Sequence, residues 1–460
     1  MSKKILFIEF LVFTFYLLFL LNIAFFVRDT PNQSDAYNTT LQKISETGLG
    51  YGDLKSFATA AQDIARNGWI SDSNSWIFSL WPPLFIMLEA LIVKVGGQGV
   101  PIILIVQIMS SIFLALFMMF FCQILRQYAR LSISLLLPLL PFLLPMPRAF
   151  LLQPYGVVWG ESFAISCFLI GLALSVRSVQ RRAFDQAVYA GIFIGLSAYF
   201  RSQFAIFALA LTCSGFLFAA LIYIFYLRSD KSSSASSLNF RYFIKNIAII
   251  ILAIQLTMMP WRVYRLIEHH NLSWISTSDV TFGNSVHSTE YLQSVGAGFV
   301  VEGGGNLVCR IDPATCENSK NAKYLFIKTF LSHPIQWYHL KFELIGKYWF
   351  SSIENIVSVY QSPNITDIIA NAICMMALII IAALSFTPLM MRNQVSYVTA
   401  WINFSILLSH ILIFTVQQFE IRYFYFIKIY ALIMMMIKVV TFFYLKNSNK
   451  ELEGNPIKNN

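Results

Sequence analysis

Of the 460 residues, 57% are hydrophobic and only 12% are charged, whereas soluble domains carry about 25% charged residues. That excludes an ordinary soluble globule and leaves a polytopic membrane protein. The net charge of +10 does not mark a nucleic-acid binder, because Lys and Arg collect at the ends of apolar runs and form no continuous basic surface.

Apolar runs of about 20 residues, enough to cross a hydrocarbon core of about 30 Å, recur along the chain. In lipid such runs must be helices, since nothing there pairs a free backbone group. The expected fold is all-α: a polytopic membrane helix bundle of about ten transmembrane helices with amphipathic interfacial helices in the extracytoplasmic loops. The first run, residues 5–27 behind Lys3 and Lys4, is too long for a signal-peptide core and lacks a small-x-small cleavage site. Residues 1–27 therefore read as a retained first helix with a cytoplasmic N-terminus.

Residues 28–100 read as the first extracytoplasmic loop. In its first part Asp29, Asp35, Glu46, Asp53, Asp63 and Asp72 outnumber Arg28, Lys43, Lys55 and Arg66. Residues 81–95 are apolar but too short to span, carry Glu89 and Lys94, and end at Gly96-Gly97. That pattern predicts an interfacial or re-entrant helix.

Residues 101–260 hold six expected spans, at 101–125, 134–150, 162–176, 187–200, 204–227 and 243–259. Pro138, Pro141, Pro145 and Pro147 predict that the 134–150 span is kinked or unwound in its outer half. Gly191 and Gly195 form a small-xxx-small pair suited to close helix packing. The Ser-rich, basic segment 228–245 reads as a flexible cytoplasmic linker between two halves. The 243–259 span is expected to end at Pro260-Trp261 and to open a large extracytoplasmic loop, 261–362. That loop carries Gly-rich turns and an aromatic, amphipathic stretch at 333–350 whose composition fits a helix lying in the interface.

Spans at 368–391, 395–416 and 423–445 complete the region 363–445, and 446–460 read as a cytoplasmic tail. Short basic inner loops and long polar outer loops give the positive-inside pattern. It predicts a multi-pass protein of the cell (inner or plasma) membrane, both termini cytoplasmic and the active site extracytoplasmic. Cys122, Cys167, Cys213 and Cys374 sit in apolar runs as small packing residues. Cys309 and Cys316 share the large outer loop, where a disulfide is expected.

A transporter keeps ionisable groups near the membrane midplane. Here the apolar runs read as almost free of charge. Glu9 lies in the first turns of the chain, and Glu89, Lys94, Glu161, Arg201, Glu420 and Arg422 lie near the outer boundary. That layering suggests work on something presented at the outer interface.

The stretch Gly52-Asp53-Leu54-Lys55-Ser56-Phe57-Ala58-Thr59-Ala60-Ala61-Gln62-Asp63, followed by Trp81-Pro82-Pro83-Leu84-Phe85, resembles the first outer loop of the C-type integral-membrane glycosyltransferases. The likeness is to their protein-mannosyltransferase and aminoarabinose-transferase-like branch. Further matches, in the same order along nearly the whole chain, are Glu161, Gly191 to Arg201, Pro260-Trp261, His333-Pro334 and Glu420-x-Arg422-Tyr423. The acidic pair of the mannosyltransferase branch is missing, because Leu54 follows Asp53.

The resemblance implies an inverting transferase of the cell envelope: a sugar on a polyprenyl phosphate is attacked by a hydroxyl of a glycolipid, polysaccharide or protein. Asp53 matches the family's loop-one carboxylate and would act as general base, or else caps its helix; Asp35 is the reserve. Glu161 would position the acceptor or cap the helix it opens. Arg201, Arg262, Arg265 and Arg422 are the candidates for the donor phosphate. Arg201 can equally snorkel to the headgroups, and Arg422 can instead pair with Glu420. The histidines show no metal-ligand spacing, so no metal or cofactor is expected beyond the sugar donor, and divalent-metal dependence stays open. Two rival readings remain: a lipid or solute translocase, and a catalytically inactive relative that binds the sugar lipid.

Overall fold

The structure is a computed structural model that describes residues 3–27, 36–50, 52–152, 159–228, 234–270, 272, 277–316, 321–352, 360–385, 387 and 394–454. Among these no strand forms beyond one isolated bridge, Thr40 with Pro101. The helices are α1 (Lys3–Phe26), α2 (Leu41–Thr47), α3 (Gly52–Asn67), α4 (Leu84–Gly96), α5 (Ile102–Leu125), α6 (Leu131–Leu136), α7 (Pro145–Leu152), α8 (Glu161–Arg181) and α9 (Phe184–Phe200). Then come α10 (Gln203–Arg228), α11 (Ser234–His269), α12 (Thr277–Val286), α13 (Ala322–Ser332), α14 (Pro334–Trp349), α15 (Ile365–Ser385), α16 (Gln394–Val416) and α17 (Arg422–Gly454).

Among the described residues seven helices are long and apolar enough to cross a membrane, and a further crossing there would require a helix pair bent by 86°. This is a polytopic all-α bundle, with fewer clear spans than the ten expected. The difference lies where helices are short or broken. Helix α9 has only 17 residues, whereas α10 runs Gln203–Arg228 over 26 residues and covers the run expected at 204–227. The proline-rich segment runs Leu131–Leu143, turns 3₁₀ over Leu137–Leu143, and breaks before Pro145–Leu152. Prolines strip donors from the ladder. Among the carbonyls there, those of Phe142 and Leu143 accept from Arg148 Nη1 at 3.2 and 2.9 Å.

Helix α8 is the axis. Every residue of its most apolar window is buried, and it packs against α5, α9 and α16. A helix covered all round needs small residues where neighbours come close. A Cβ on Gly171 would lie 2.6 Å from Ile194 Cγ1, and one on Gly191 would lie 2.5 Å from Ile250 O, so α9 is pressed between α8 and α11. At the periphery Phe7, Phe10 and Leu11 of α1, Leu252 and Leu256 of α11, and Leu407 and Ile411 of α16 are exposed. Such rows suit lipid contact.

Several boundaries differ from expectation. Helix α11 starts at Ser234, inside the expected linker, and runs through Pro260 to His269. The Tyr199 hydroxyl explains how: it donates to Thr257 O at 2.8 Å and accepts from Trp261 N–H at 3.3 Å. A side chain from α9 thus sits on the ladder step beside the proline. The loop 261–362 therefore begins as two further helical turns. Helix α17 continues past 445 to Gly454. The apolar runs are also less free of charge than expected: Lys428 and Lys438 are buried inside α17. Lys428 Nζ is held by Trp349 O and Asn371 Oδ1, both at 2.8 Å.

At one end of the bundle the non-spanning helices collect. Helix α3 packs on α2 and α4. Over the loop helices a small second core forms from Val286, Leu307, Val308, Phe326 and Trp337. Cys309 and Cys316 are disulfide-bonded there. Cys122, Cys167 and Cys374 are buried as expected, but Cys213 is exposed.

Candidate active site

The loop-rich end encloses a cavity of about 740 Å³, within the range that accommodates small ligands. Five chain segments build most of it. The first turn of α3 supplies Asp53, and the break before α4 supplies Leu80 and Trp81. The α9–α10 junction supplies Arg201, Ser202 and Gln203, and the extension of α11 supplies Arg262. The α16–α17 junction supplies Gln418, Glu420, Arg422 and Tyr423. Below these polar groups the lining becomes apolar, with Ile206 and Leu209 of α10 facing Leu412 and Ile413 of α16. Leu209 and Leu412 are themselves exposed on the flank of the bundle, so the apolar end of the cavity opens sideways between these two helices.

The charged residues are tightly networked. Arg201 Nη2 lies 2.7 Å from Glu161 Oε1, and Arg422 Nη1 lies 3.6 Å from the same oxygen. Arg422 Nε lies 2.7 Å from Glu420 Oε2, and Tyr423 donates its hydroxyl to Glu420 Oε1 at 2.9 Å. The Arg422 guanidinium stacks over Trp159 at 4.6 Å. Glu161 is 1% exposed and does not line the cavity. It lies behind the arginines, at the N-terminus of α8, where the helix dipole favours a carboxylate. The preceding Gly160 has φ +74°, and its Cα comes so close to the Phe85 ring that a Cβ would be 3.0 Å away. The turn that aims Glu161 therefore accepts only glycine without strain.

Asp53 differs from the other carboxylates. It is half-buried, lines the cavity, and has no ion pair within the described residues. Burial lifts its carboxyl above the ordinary aspartate range, with Arg422 and Arg201 pulling it back and Glu420 adding to the rise. It sits inside the first turn of α3. Asp35 lies outside the described residues.

No protein-family model matches the sequence, no curated protein matches it, and no solved structure matches it. The site is therefore read from its own geometry.

Of the arginines picked out by sequence, Arg201, Arg262 and Arg422 reach the cavity and Arg265 does not. Arg265 is fully buried, and its Nη1 donates to Phe78 O and Ser79 O, both at 3.1 Å. It fixes the helical turn that precedes Leu80 and Trp81. Arg262 Nη1 also donates to Gln255 Oε1 at 2.8 Å, which holds it along α11. Among the described residues no three His, Cys, Asp or Glu side chains come together as a metal-binding group.

Sequence reasoning missed what holds the 417–421 segment. Phe419 N–H donates to Gly303 O at 2.8 Å. A Cβ on Gly303 would fall 2.1 Å from Phe419 O. Lys341 Nζ donates to Gln417 O at 2.7 Å and lies 4.8 Å from the Phe419 ring centre. Burial drops the Lys341 pKa to about 7. A signal for this was present. Trp337, Lys341, Leu344 and Tyr348 are buried positions of α14, with Trp349 beside them, so Lys341 occupies the apolar stripe at helical spacing.

Proposed function

We propose that the protein is an inverting membrane glycosyltransferase. It moves a sugar from a polyprenyl phosphate to a hydroxyl of a glycolipid, envelope polysaccharide or protein on the extracytoplasmic face. The observation that carries this reading is the coexistence, in one cavity, of a carboxylate with no ion pair among the described residues, Asp53, and the guanidinium groups of Arg201, Arg262 and Arg422.

In this reading Asp53 takes the proton of the acceptor hydroxyl as its oxygen bonds to the anomeric carbon. The bond from that carbon to the phosphate oxygen breaks, and its electron pair leaves with the phosphate. A carboxylate lifted by burial is a stronger base than one in water, which favours the transfer. The leaving phosphate gains charge, and guanidinium groups held in place before the reaction stabilise it without reorganising. Each has five N–H donors, so pairing with a glutamate leaves others for phosphate. Glu161 and Glu420 are positioning residues that set the arginines. The polyprenyl chain lies along the apolar opening between α10 and α16.

One observation favours a second reading. Lys438 is buried well inside α17, and ionisable groups at membrane depth mark translocation pathways. Lys438 is not part of the cavity lining, which leaves the transferase reading ahead.

The test is transfer of radiolabelled sugar from membrane polyprenyl phosphates to extractable lipid and polymer, comparing wild type with Asp53→Asn at matched expression. Loss of transfer with donor binding retained supports the assignment. Full activity in Asp53→Asn removes Asp53 as the base, and no transfer by either protein favours the translocase or the inactive relative.

A further inference from the structure

Glu161 and Arg181 bound α8, so the two ends of that axis are about 30 Å apart. At the Arg181 end a second cavity, of about 290 Å³, is lined by Ile8, Glu9, Gln123, Arg126, Gln127 and Arg181. It forms where the start of α1 meets the ends of α5 and α8. Gln123 is 7% exposed, and neither its Nε2 nor its Oε1 has a hydrogen-bond partner among the described residues. Both amide atoms are themselves enclosed, so Gln123 backs the cavity wall, and the polar groups open to an occupant are Glu9, Arg126, Gln127 and Arg181. One water fills about 30 Å³ of liquid, so the space far exceeds what a single solvent molecule would need.

The charges define that occupant. Arg126 and Arg181 reach the cavity from exposed helix ends, and Glu9 is half-buried beside them. The two guanidinium groups suit a phosphodiester anion, and the carboxylate suits the positive end of a zwitterionic head group beside it. The carboxylate is an acceptor only, so it favours a head group that carries an N–H or O–H. Next to Ile8 on α1, Phe7 and Leu11 are exposed, an apolar surface leading away from the polar cavity. Basic pockets between membrane helices on the cytoplasmic side are suited to lipid head groups.

We propose that this cavity seats the phosphodiester head group of a glycerophospholipid of the cytoplasmic leaflet. Arg126 and Arg181 hold the phosphate, and Glu9 accepts from the donor on the head group. The acyl chains follow α1 past Phe7 and Leu11. This site is separate from the candidate active site and stands or falls independently of the transferase reading.

Native mass spectrometry of the full chain in detergent tests it, with dioleoyl phosphatidylethanolamine, dioleoyl phosphatidylcholine and inorganic phosphate as probes. The ethanolamine lipid, which has N–H donors, should bind more tightly than the choline lipid, which has none. Arg126→Gln with Arg181→Gln should weaken ethanolamine-lipid binding about tenfold. Both arginines are exposed, so unchanged helix content by circular dichroism is expected. Glu9→Gln should narrow the preference between the two lipids. Equal lipid binding by wild type and the double-arginine variant would overturn the site. Displacement of the lipid by an equal concentration of inorganic phosphate would overturn its assignment to a lipid and leave a free-anion site.

Discussion

The pairing of Glu161 with Arg201 can be measured. Glu161 is 1% and Arg201 8% exposed, with 2.7 Å between their charged atoms, and Arg422 stands 3.6 Å from the same carboxylate oxygen. At an effective dielectric of about 20, those separations give about 6 and about 5 kcal/mol of attraction before desolvation is subtracted. Removing one partner of a buried pair costs about 3–5 kcal/mol, because the other charge is left in place without compensation. Glu161→Gln should reach that range, since Arg201 loses its close partner. Arg201→Gln should cost less, because Arg422 still neutralises Glu161. The double variant Glu161→Gln/Arg201→Gln should be less destabilised than the sum of the two, with a coupling of about 2 kcal/mol. Thermal unfolding of the full chain in one detergent, followed by circular dichroism, completes the cycle. Additive single effects would refute the claim that this pair holds the arginine wall of the cavity.

Three further expectations concern the same site. The transfer rate should drop on the acid side with a midpoint above the ordinary aspartate value of about 3.9, because burial raises Asp53 and only its ionised form accepts a proton. Asp53→Asn should lower the rate by about 10²–10⁴-fold and abolish that limb in a pH–rate profile, and a limb that survives would exclude Asp53 as its source. Lys341 has a folded pKa of about 7 against 10.5 unfolded, so the unfolded loop binds more protons between those values. Its burial penalty is full below pH 7 and is relieved as pH rises toward 10.5, by about 5 kcal/mol at most. The hydrogen-exchange protection factor of the segment 334–349, with the intrinsic rise of the rate with pH divided out, should increase over that range in wild type, and Lys341→Met should remove the increase. Gly303→Ala places a methyl group 2.1 Å from Phe419 O. It should cost about 1–3 kcal/mol and reduce transfer while the spanning helices stay folded, as judged by limited proteolysis.

How much of this was legible depended on whether the deciding physics was local. Charges flanking apolar runs are visible in sequence, so Arg201, Glu420 and Arg422 could be picked out as boundary residues, and Gly191 and Gly195 as packing points. Which charge meets which was not visible. Glu161 opens α8, Arg201 closes α9 and Arg422 opens α17, and only the bundle brings them within 4 Å. The end expected at Pro260 followed from proline alone, whereas the hydroxyl that supports the helix there comes from Tyr199 on another helix. Lys428 and Lys438 were masked by the apolar residues around them in α17, whose most apolar 18-residue stretch has a mean hydropathy of 2.0. Arg265 and Arg262 look equivalent in sequence, yet one turn of helix directs the first into the wall and the second into the cavity.

The Tyr199 hydroxyl has a consequence for the spacing of the arginines. It ties α9 to α11 two residues before Arg201 and, on the other strand of the contact, beside Trp261, the neighbour of Arg262. One phenol oxygen therefore acts as a gauge block between cations carried by different helices. Tyr199→Phe would keep the ring and lose the gauge, so two charges that each remain present could drift out of register with a single phosphate.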